Sequence, residues 1–360
     1  MDTACRLADL PDEVLERILD YAVYDLSPPA AVALALVSKR FAAFVHLRQI
    51  RLRSASAALR LEQLLTERPS AAQRVKTLVL VNDSQGTLSP LPLASRRGSR
   101  STPASFDADM LVRLCAHLQG LGVLVLRELD LSALRRRQLG FAVQLSHLHS
   151  LVISSPSPDQ QSGASARQLN LNILGRIVQD LPHLEHLAVR GIRGTSSALR
   201  GLAAPSCRLV SFGLFSTSGV TGSHLQWLLA GTTASDTLRT VAFDLGESVR
   251  PAQLSAVKWA LLPVRHVYIT SSNTKAIAEL PHHFPSLRTY SYRTPSRFDA
   301  LPELLRSLPA ERRIDVFDAS PDQGGFLYSR RALGWILAAV STCEDVDQSR
   351  SCSAPSLEED

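Results

Sequence analysis

The sequence predicts a mixed α/β chain in two parts: a short all-helical segment at the N-terminus, then an irregular solenoid with parallel strands inside and helices outside. Three observations carry this reading. From Val75 onward apolar residues recur at i, i+3 and i+5. Between those places the periodicity turns helical. Before them, the first forty-odd residues carry helix signals and no strand pattern.

The N-terminal part begins with Leu10-Pro11-Asp12-Glu13-Val14-Leu15. Proline fixes φ near the helical value and lacks an N–H that a first helical turn would leave unpaired, so Pro11 reads as the first helical residue after Leu10. Asp12 and Glu13 then put negative charge at the positive end of the helix dipole. Val14, Leu15, Ile18, Leu19 and Ala22 follow at helical spacing as one apolar stripe. Pro28-Pro29 separates this helix from a second apolar run, residues 30–37, whose face Phe41 and Phe44 extend. Two or three short helices result, too small a unit to bury much surface alone. The Leu-Pro start, the Ile18-Leu19 pair and the Leu36-Val37-Ser38-Lys39-Arg40-Phe41 segment resemble, in order and spacing, an F-box. The resemblance covers residues 7–48, with Phe41 standing where many F-boxes carry tryptophan. It implies docking to a Skp-type adaptor and, through it, to the cullin and RING subunits of an SCF ubiquitin ligase. It places Leu10, Pro11, Leu15, Ile18, Leu19, Val37 and Phe41 at the adaptor interface or in its immediate support.

Residues 49–73 read as a helical linker, and residues 74–342 as the solenoid. Its repeats run Val75-Leu78-Leu80, Leu121-Leu124-Leu126, Leu148-Leu151-Ile153, Leu184-Leu187-Val189, Leu209-Phe212-Leu214, Leu238-Val241-Phe243, Val264-Val267-Ile269 and Leu287-Tyr290-Tyr292, with a weaker ninth ending in Ile314-Val316. Alternation over the last three positions is the period of a strand with one buried face. Met110-Leu111-Leu114-Leu118, Leu171-Leu174-Ile177-Val178, Leu225-Leu228-Leu229 and Leu254-Val257-Leu261 supply the intervening helices. Repeated β-α units of this length resemble leucine-rich repeats. At i+8, where that family carries asparagine or cysteine, this chain has Asp83, Leu129, Pro156, Ile192, Thr217, Gly246, Ser272 and Pro295, so uneven turns are expected. A doubly wound sheet would show the same strand-helix alternation, but its core strands read as continuous apolar runs rather than as this pattern.

Residues 84–107 and 154–168, rich in Ser with Pro or Gln, break the periodicity and read as mobile insertions; residues 343–360 read as a disordered acidic tail. Ser95, Ser99, Ser101 and Ser105 beside Arg96, Arg97 and Arg100 would suit a basophilic kinase. Hydrophobic residues make up 45% and charged residues 20% of the 360, a globular composition. No apolar run approaches the roughly 18 residues that cross a bilayer, and the first twenty residues lack a basic stretch followed by an apolar one. The five cysteines are scattered without paired spacing, against both a disulfide framework and a zinc site. Cytoplasm or nucleus is the expected compartment, and no cofactor is expected.

If the strands line a concave face, positions i+2, i+4 and i+6 point out of it. The candidate substrate surface drawn from those columns is Arg127, His186, Arg190, Phe215, Asp244, His266, Tyr268 and Arg293, since aromatic and arginine anchors are what recognition surfaces favour. Catalytic motifs are missing: no Gly-x-Ser-x-Gly, phosphate-binding glycine loop or His-Glu-x-x-His occurs. His183 and His186 lack further metal ligands nearby in sequence. The net charge is +6, but the clusters Arg96-Arg97, Arg135-Arg136-Arg137 and Arg330-Arg331 are dispersed rather than gathered in one stripe, which argues against a nucleic-acid surface. The family resemblances imply a substrate receptor for a protein substrate, and the alternative is a repeat-based interaction scaffold without a role in ubiquitination.

Overall fold

The structure is a computed structural model that describes residues 14, 48–81, 106, 108–129, 131, 141–155, 168–195, 198–229, 234–244, 257–271, 273–294, 304, 306–308 and 314–318. Its strands are β1 (Gln49–Leu52), β2 (Thr77–Val81), β3 (Val123–Arg127), β4 (Ser150–Ser154), β5 (Leu169–Asn170), β6 (His186–Arg190), β7 (Ile192–Arg193), β8 (Ser211–Phe215), β9 (Thr240–Asp244), β10 (His266–Thr270), β11 (Thr289–Arg293) and β12 (Asp315–Asp318). Ten of them form one sheet in the order β1-β2-β3-β4-β6-β8-β9-β10-β11-β12, and β5 and β7 form a separate pair. Every pairing is parallel. Strands thus follow one another across the main sheet without reversal, the order of a solenoid; a doubly wound sheet would reverse direction at a switch point.

Register is set by the core. Leu78, Leu124, Leu151, Leu187, Phe212, Val241, Val267 and Tyr290 form one inward row across neighbouring strands, and Leu80, Leu126, Ile153, Val189, Leu214, Phe243, Ile269 and Tyr292 the next. All sixteen are at most 1% exposed and belong to one continuous core. A slip of one residue would turn a strand's whole apolar set toward the other face, so burial fixes the pairing. In the C-terminal half the core is aromatic: Phe212 meets Phe243 at 6.1 Å, Phe243 meets Trp259 at 5.8 Å, and Trp259 meets Phe284 at 5.0 Å between ring centroids. The buried Tyr290 hydroxyl donates to the Ile277 carbonyl at 2.8 Å, giving its polar end a partner.

Helices complete the core from the other side. Helix Ala55–Glu67 is capped by the Ser54 hydroxyl, which accepts from the Ala57 N–H at 3.2 Å, and buries Ala55, Ala58, Leu61 and Leu65. Helix Ala108–His117 buries Met110, Leu111, Leu114 and Cys115, and its Arg113 pairs with Glu62 at 2.8 Å. Helix Leu171–Gln179, capped by Asn170, buries Leu171, Leu174, Ile177 and Val178, as its periodicity requires. Helix Gly222–Leu229 buries Leu225, Leu228 and Leu229. Of the fourth expected helix, the described part is a 3-10 turn at Trp259–Leu261 with Leu261 exposed. Cys115 and Cys207 are buried thiols whose pKa values burial pushes up to about 12 and about 11.

The structure departs from expectation at 49–73. Gln49–Leu52, expected within a helical linker, is the first strand of the sheet, pairing Ile50 with Leu78 and Leu52 with Leu80. The signal was present: Leu47, Ile50 and Leu52 obey the i, i+3, i+5 rule. The short β5–β7 pair was also unforeseen, because two-residue strands leave no period to read. The turns after the strands are irregular, as the missing asparagines imply: Glu128, Gly191 and Ser216, each directly after a strand, carry φ of 55°, 76° and 45°. Backbone bonds hold these turns, with Glu128 N–H donating to Ser154 O at 2.8 Å and Gly191 N–H to Phe215 O at 3.0 Å. The insertion 84–107 apart from residue 106, residues 156–167 of the insertion 154–168, and the tail 343–360 fall outside the described residues.

Candidate functional site

On the face of the sheet away from the core, each five-residue strand presents three columns, because successive side chains alternate between faces. The middle column is apolar. Val79, Val125, Val152 and Ala188 pack as a cluster distinct from the main core. In the same register Gly213, Ala242, Tyr268 and Ser291 continue the column across β8 to β11. Small side chains here keep the floor shallow as far as Tyr268.

The two outer columns are polar apart from Val81, Phe215 and Val123, the last packing with the apolar cluster. One, at the strand ends, holds Arg127, Ser154, Arg190 and Phe215 in successive strands and then Asp244, Thr270 and Arg293. The arginines and Asp244 are half-buried, so their alkyl parts lie along the sheet while charge remains reachable. The other column begins the strands with Ser150, His186, Ser211, Thr240, His266 and Thr289. His186 Nδ1 lies 2.8 Å from Ser211 Oγ. Burial lowers the His186 pKa, the Glu185 carboxylate pulls it back up, and His149 pushes it further down. His149 is lowered by burial too, with Glu185 opposing. Its ring sits where any side chain at Gly122 would be, 2.5 Å from an added Cβ, so Gly122 is required for that ring to lie against the backbone. His266 is lowered first by burial and then by the charges of Arg265 and Arg288.

The sheet therefore brings all eight residues of the candidate substrate surface onto one face, but not equally. Arg127, His186, Arg190, Asp244, His266 and Arg293 are partly accessible, whereas Phe215 and Tyr268 are 6% and 2% exposed and form floor rather than protruding anchors. The chemistry offered is an apolar floor between polar edges, suited to holding a polypeptide segment. The nearest approach to a catalytic pair, His186 and Ser211, has its serine 3% exposed. Among the described residues no group of three His, Cys, Asp or Glu could hold a metal ion, and no helix is long and apolar enough to cross a membrane.

One alignment just ahead of these strands has a sequence signal of its own. Arg239, Arg265 and Arg288 each follow the first apolar residue of a repeat, in Leu238-Arg239-Thr240, Val264-Arg265-His266 and Leu287-Arg288-Thr289, and the ladder stacks them in adjacent strands. The recurring arginine at i+1 was the available signal. Of the segment expected to dock an adaptor the structure describes Val14, which is helical and 43% exposed; Leu10, Pro11, Leu15, Ile18, Leu19, Val37 and Phe41 lie outside the described residues.

A family model described as F-box-like matches residues 7–50. A solved structure, the leucine-rich repeat-containing protein LegL7 from Legionella pneumophila, superposes with a TM-score of 0.46 and 16% identity, covering 81% of this chain and 89% of that one. No curated protein matches the chain. Residues 7–50 are thus similar to an F-box, and from β1 onward the described strands stack in the order of a parallel solenoid.

Proposed function

We propose that this chain is the substrate-recognition subunit of an SCF-type ubiquitin ligase. The observation that carries the reading is the F-box-like match at residues 7–50, which runs into the first strand of a ten-strand repeat sheet. In this reading the N-terminal helices dock a Skp-type adaptor, and cullin and RING subunits join through it. The outward face of the repeats holds a protein substrate. The chain itself performs no chemistry and needs no cofactor; it raises the local concentration of acceptor lysines near a charged conjugating enzyme. The cytoplasm or nucleus is where it would work.

The test is co-purification of the full chain, and of a version lacking residues 1–47, with a Skp-type adaptor and its cullin. Retention of both partners by the full chain alone is the expected result. Retention by neither version would replace the receptor with a repeat-based scaffold that delivers nothing for ubiquitination.

A further inference from the structure

At the ends of β3, β4 and β6 the register sets Arg127, Ser154 and Arg190 side by side on the outward face. Neighbouring strands stand about 4.8 Å apart, so an arginine flanks the serine one strand away on either side. Ser154 is 5% exposed, and its Oγ is closed off from solvent without a hydrogen-bond partner. Arg190 is half-buried and takes part in neither of the ion pairs found among the described residues, Arg113 with Glu62 and Lys275 with Glu279. Arg127, also half-buried, has an interaction of its own within the chain and brings its charge to the same place.

The backbone holds this arrangement rigidly. Just past the strand ends the Glu128 N–H donates to Ser154 O at 2.8 Å, and the Ser155 N–H to Arg190 O at 3.0 Å. Gly191, at φ 76°, lets β6 turn away beside β4, since a Cβ there would stand 2.9 Å from Ser155 Cβ. A buried hydroxyl without an acceptor carries a desolvation cost, and two like charges flanking it repel. A single oxyanion seated over Ser154 relieves both. Beneath that place, two residues earlier in the same three strands, Val125, Val152 and Ala188 form an apolar floor, and Phe215 follows Arg190 one strand on.

We propose that Ser154 and Arg190, with Arg127 beside them, form a carboxylate-binding subsite that takes an Asp or Glu side chain of the polypeptide held on this face. The proposal rests on the reading of the outward face as the recognition surface. A guanidinium fork matches a carboxylate with two parallel hydrogen bonds, and the carboxylate oxygens keep lone pairs for the serine hydroxyl as well. Arg127 adds positive field rather than a second vacant fork, so the site suits a single negative charge better than a phosphate dianion. The floor and Phe215 then favour apolar residues next to the acidic one. Because the donors are held in place before binding, little ordering is needed to use them.

The test is fluorescence anisotropy of the full chain with three labelled peptide pools. The pools share randomised Ala, Val, Leu and Ser flanks and differ only in a fixed central Glu, Gln or phosphoserine. At about 0.05 M salt, where exposed charges are weakly screened, the Glu pool should bind about ten-fold or more tighter than the Gln pool, the size of one charge-assisted contact. S154A and R190Q should each bring Glu-pool affinity down toward that of the Gln pool and leave Gln-pool binding unchanged, with R190K falling between. S154A removes the unpartnered hydroxyl, so its thermal midpoint should equal or exceed that of the native chain, which separates lost binding from lost folding. Equal binding of the Glu and Gln pools, including none by either, would overturn the proposal, as would a Glu preference that survives S154A and R190Q. A lower midpoint for S154A would overturn it too, because the hydroxyl would then already be satisfied within the fold. Phosphoserine binding about ten-fold tighter than Glu would replace the carboxylate with a dianion. No adaptor enters this assay, so failure of the ligase reading shows in the co-purification alone.

Discussion

Replacing Phe243 by alanine tests whether the C-terminal repeats are held by the continuous aromatic row. Phe243 is fully buried in β9, with edge-on contacts to Phe212 at 6.1 Å and Trp259 at 5.8 Å. Truncating a buried phenylalanine costs about 3–5 kcal/mol through lost transfer energy and the cavity left behind. Each aromatic pair adds about 0.5–1.5 kcal/mol beyond area, and two are lost here, which places F243A toward the upper end of that range. F243L keeps most of the volume and loses the ring contacts, so a cost of about 1–2 kcal/mol is expected. Equilibrium urea unfolding followed by tryptophan fluorescence is the assay, since Trp259 reports on the site directly. Costs of F243A below about 1 kcal/mol, or equal for the two variants, would mean that each repeat is stabilised by its own leucines and that the aromatic row is incidental.

The remaining expectations concern the two binding surfaces and pH. Replacing Leu10 and Pro11 by alanine should weaken adaptor binding by about 2 kcal/mol or more, measured by titration calorimetry, while the circular dichroism of the repeats is unchanged; unaltered affinity would remove these residues from the interface. Reversing charge with R190E and R293E should leave adaptor binding intact and change which proteins are captured on the repeats, and loss of folding instead would make both positions structural. For pH the sign follows from His149 and His186, both held below their ordinary value mainly by burial. The unfolded chain takes up protons below about 6.5 that the folded chain resists, so stability is full above that pH and declines as pH falls toward the lowered folded values. Urea midpoints measured at several pH values should therefore drop on acidification, and less steeply in the H149Q/H186Q variant; parallel slopes would show that other groups govern the response.

The i, i+3, i+5 rule located the strands because burying one face of a strand leaves a local mark, apolar residues two apart. Even β1, placed in a linker, carried that mark in Leu47, Ile50 and Leu52. One polar-flanked repeat beside helix signals is ambiguous in isolation, and it becomes a strand only when Ile50 and Leu52 find Leu78 and Leu80 alongside. The F-box-like segment at residues 7–50 was legible for the same local reason, since proline, acids beside it and apolar residues at helical spacing are all near in sequence.

By itself, then, the sequence determined which residues alternate, where helices interrupt the strands, and that an F-box-like segment precedes a repeat array. Only the tertiary structure decided which outward-facing residues stay accessible and which repeats align. Tyr268 and Arg293 share an outward face, yet one is floor and the other edge. Arg239, Arg265 and Arg288 lie more than twenty residues apart in the chain and one strand apart in space. Accessibility and cross-strand alignment arise from register between repeats of unequal length, and register is fixed by the collective burial of the core rather than by any one segment.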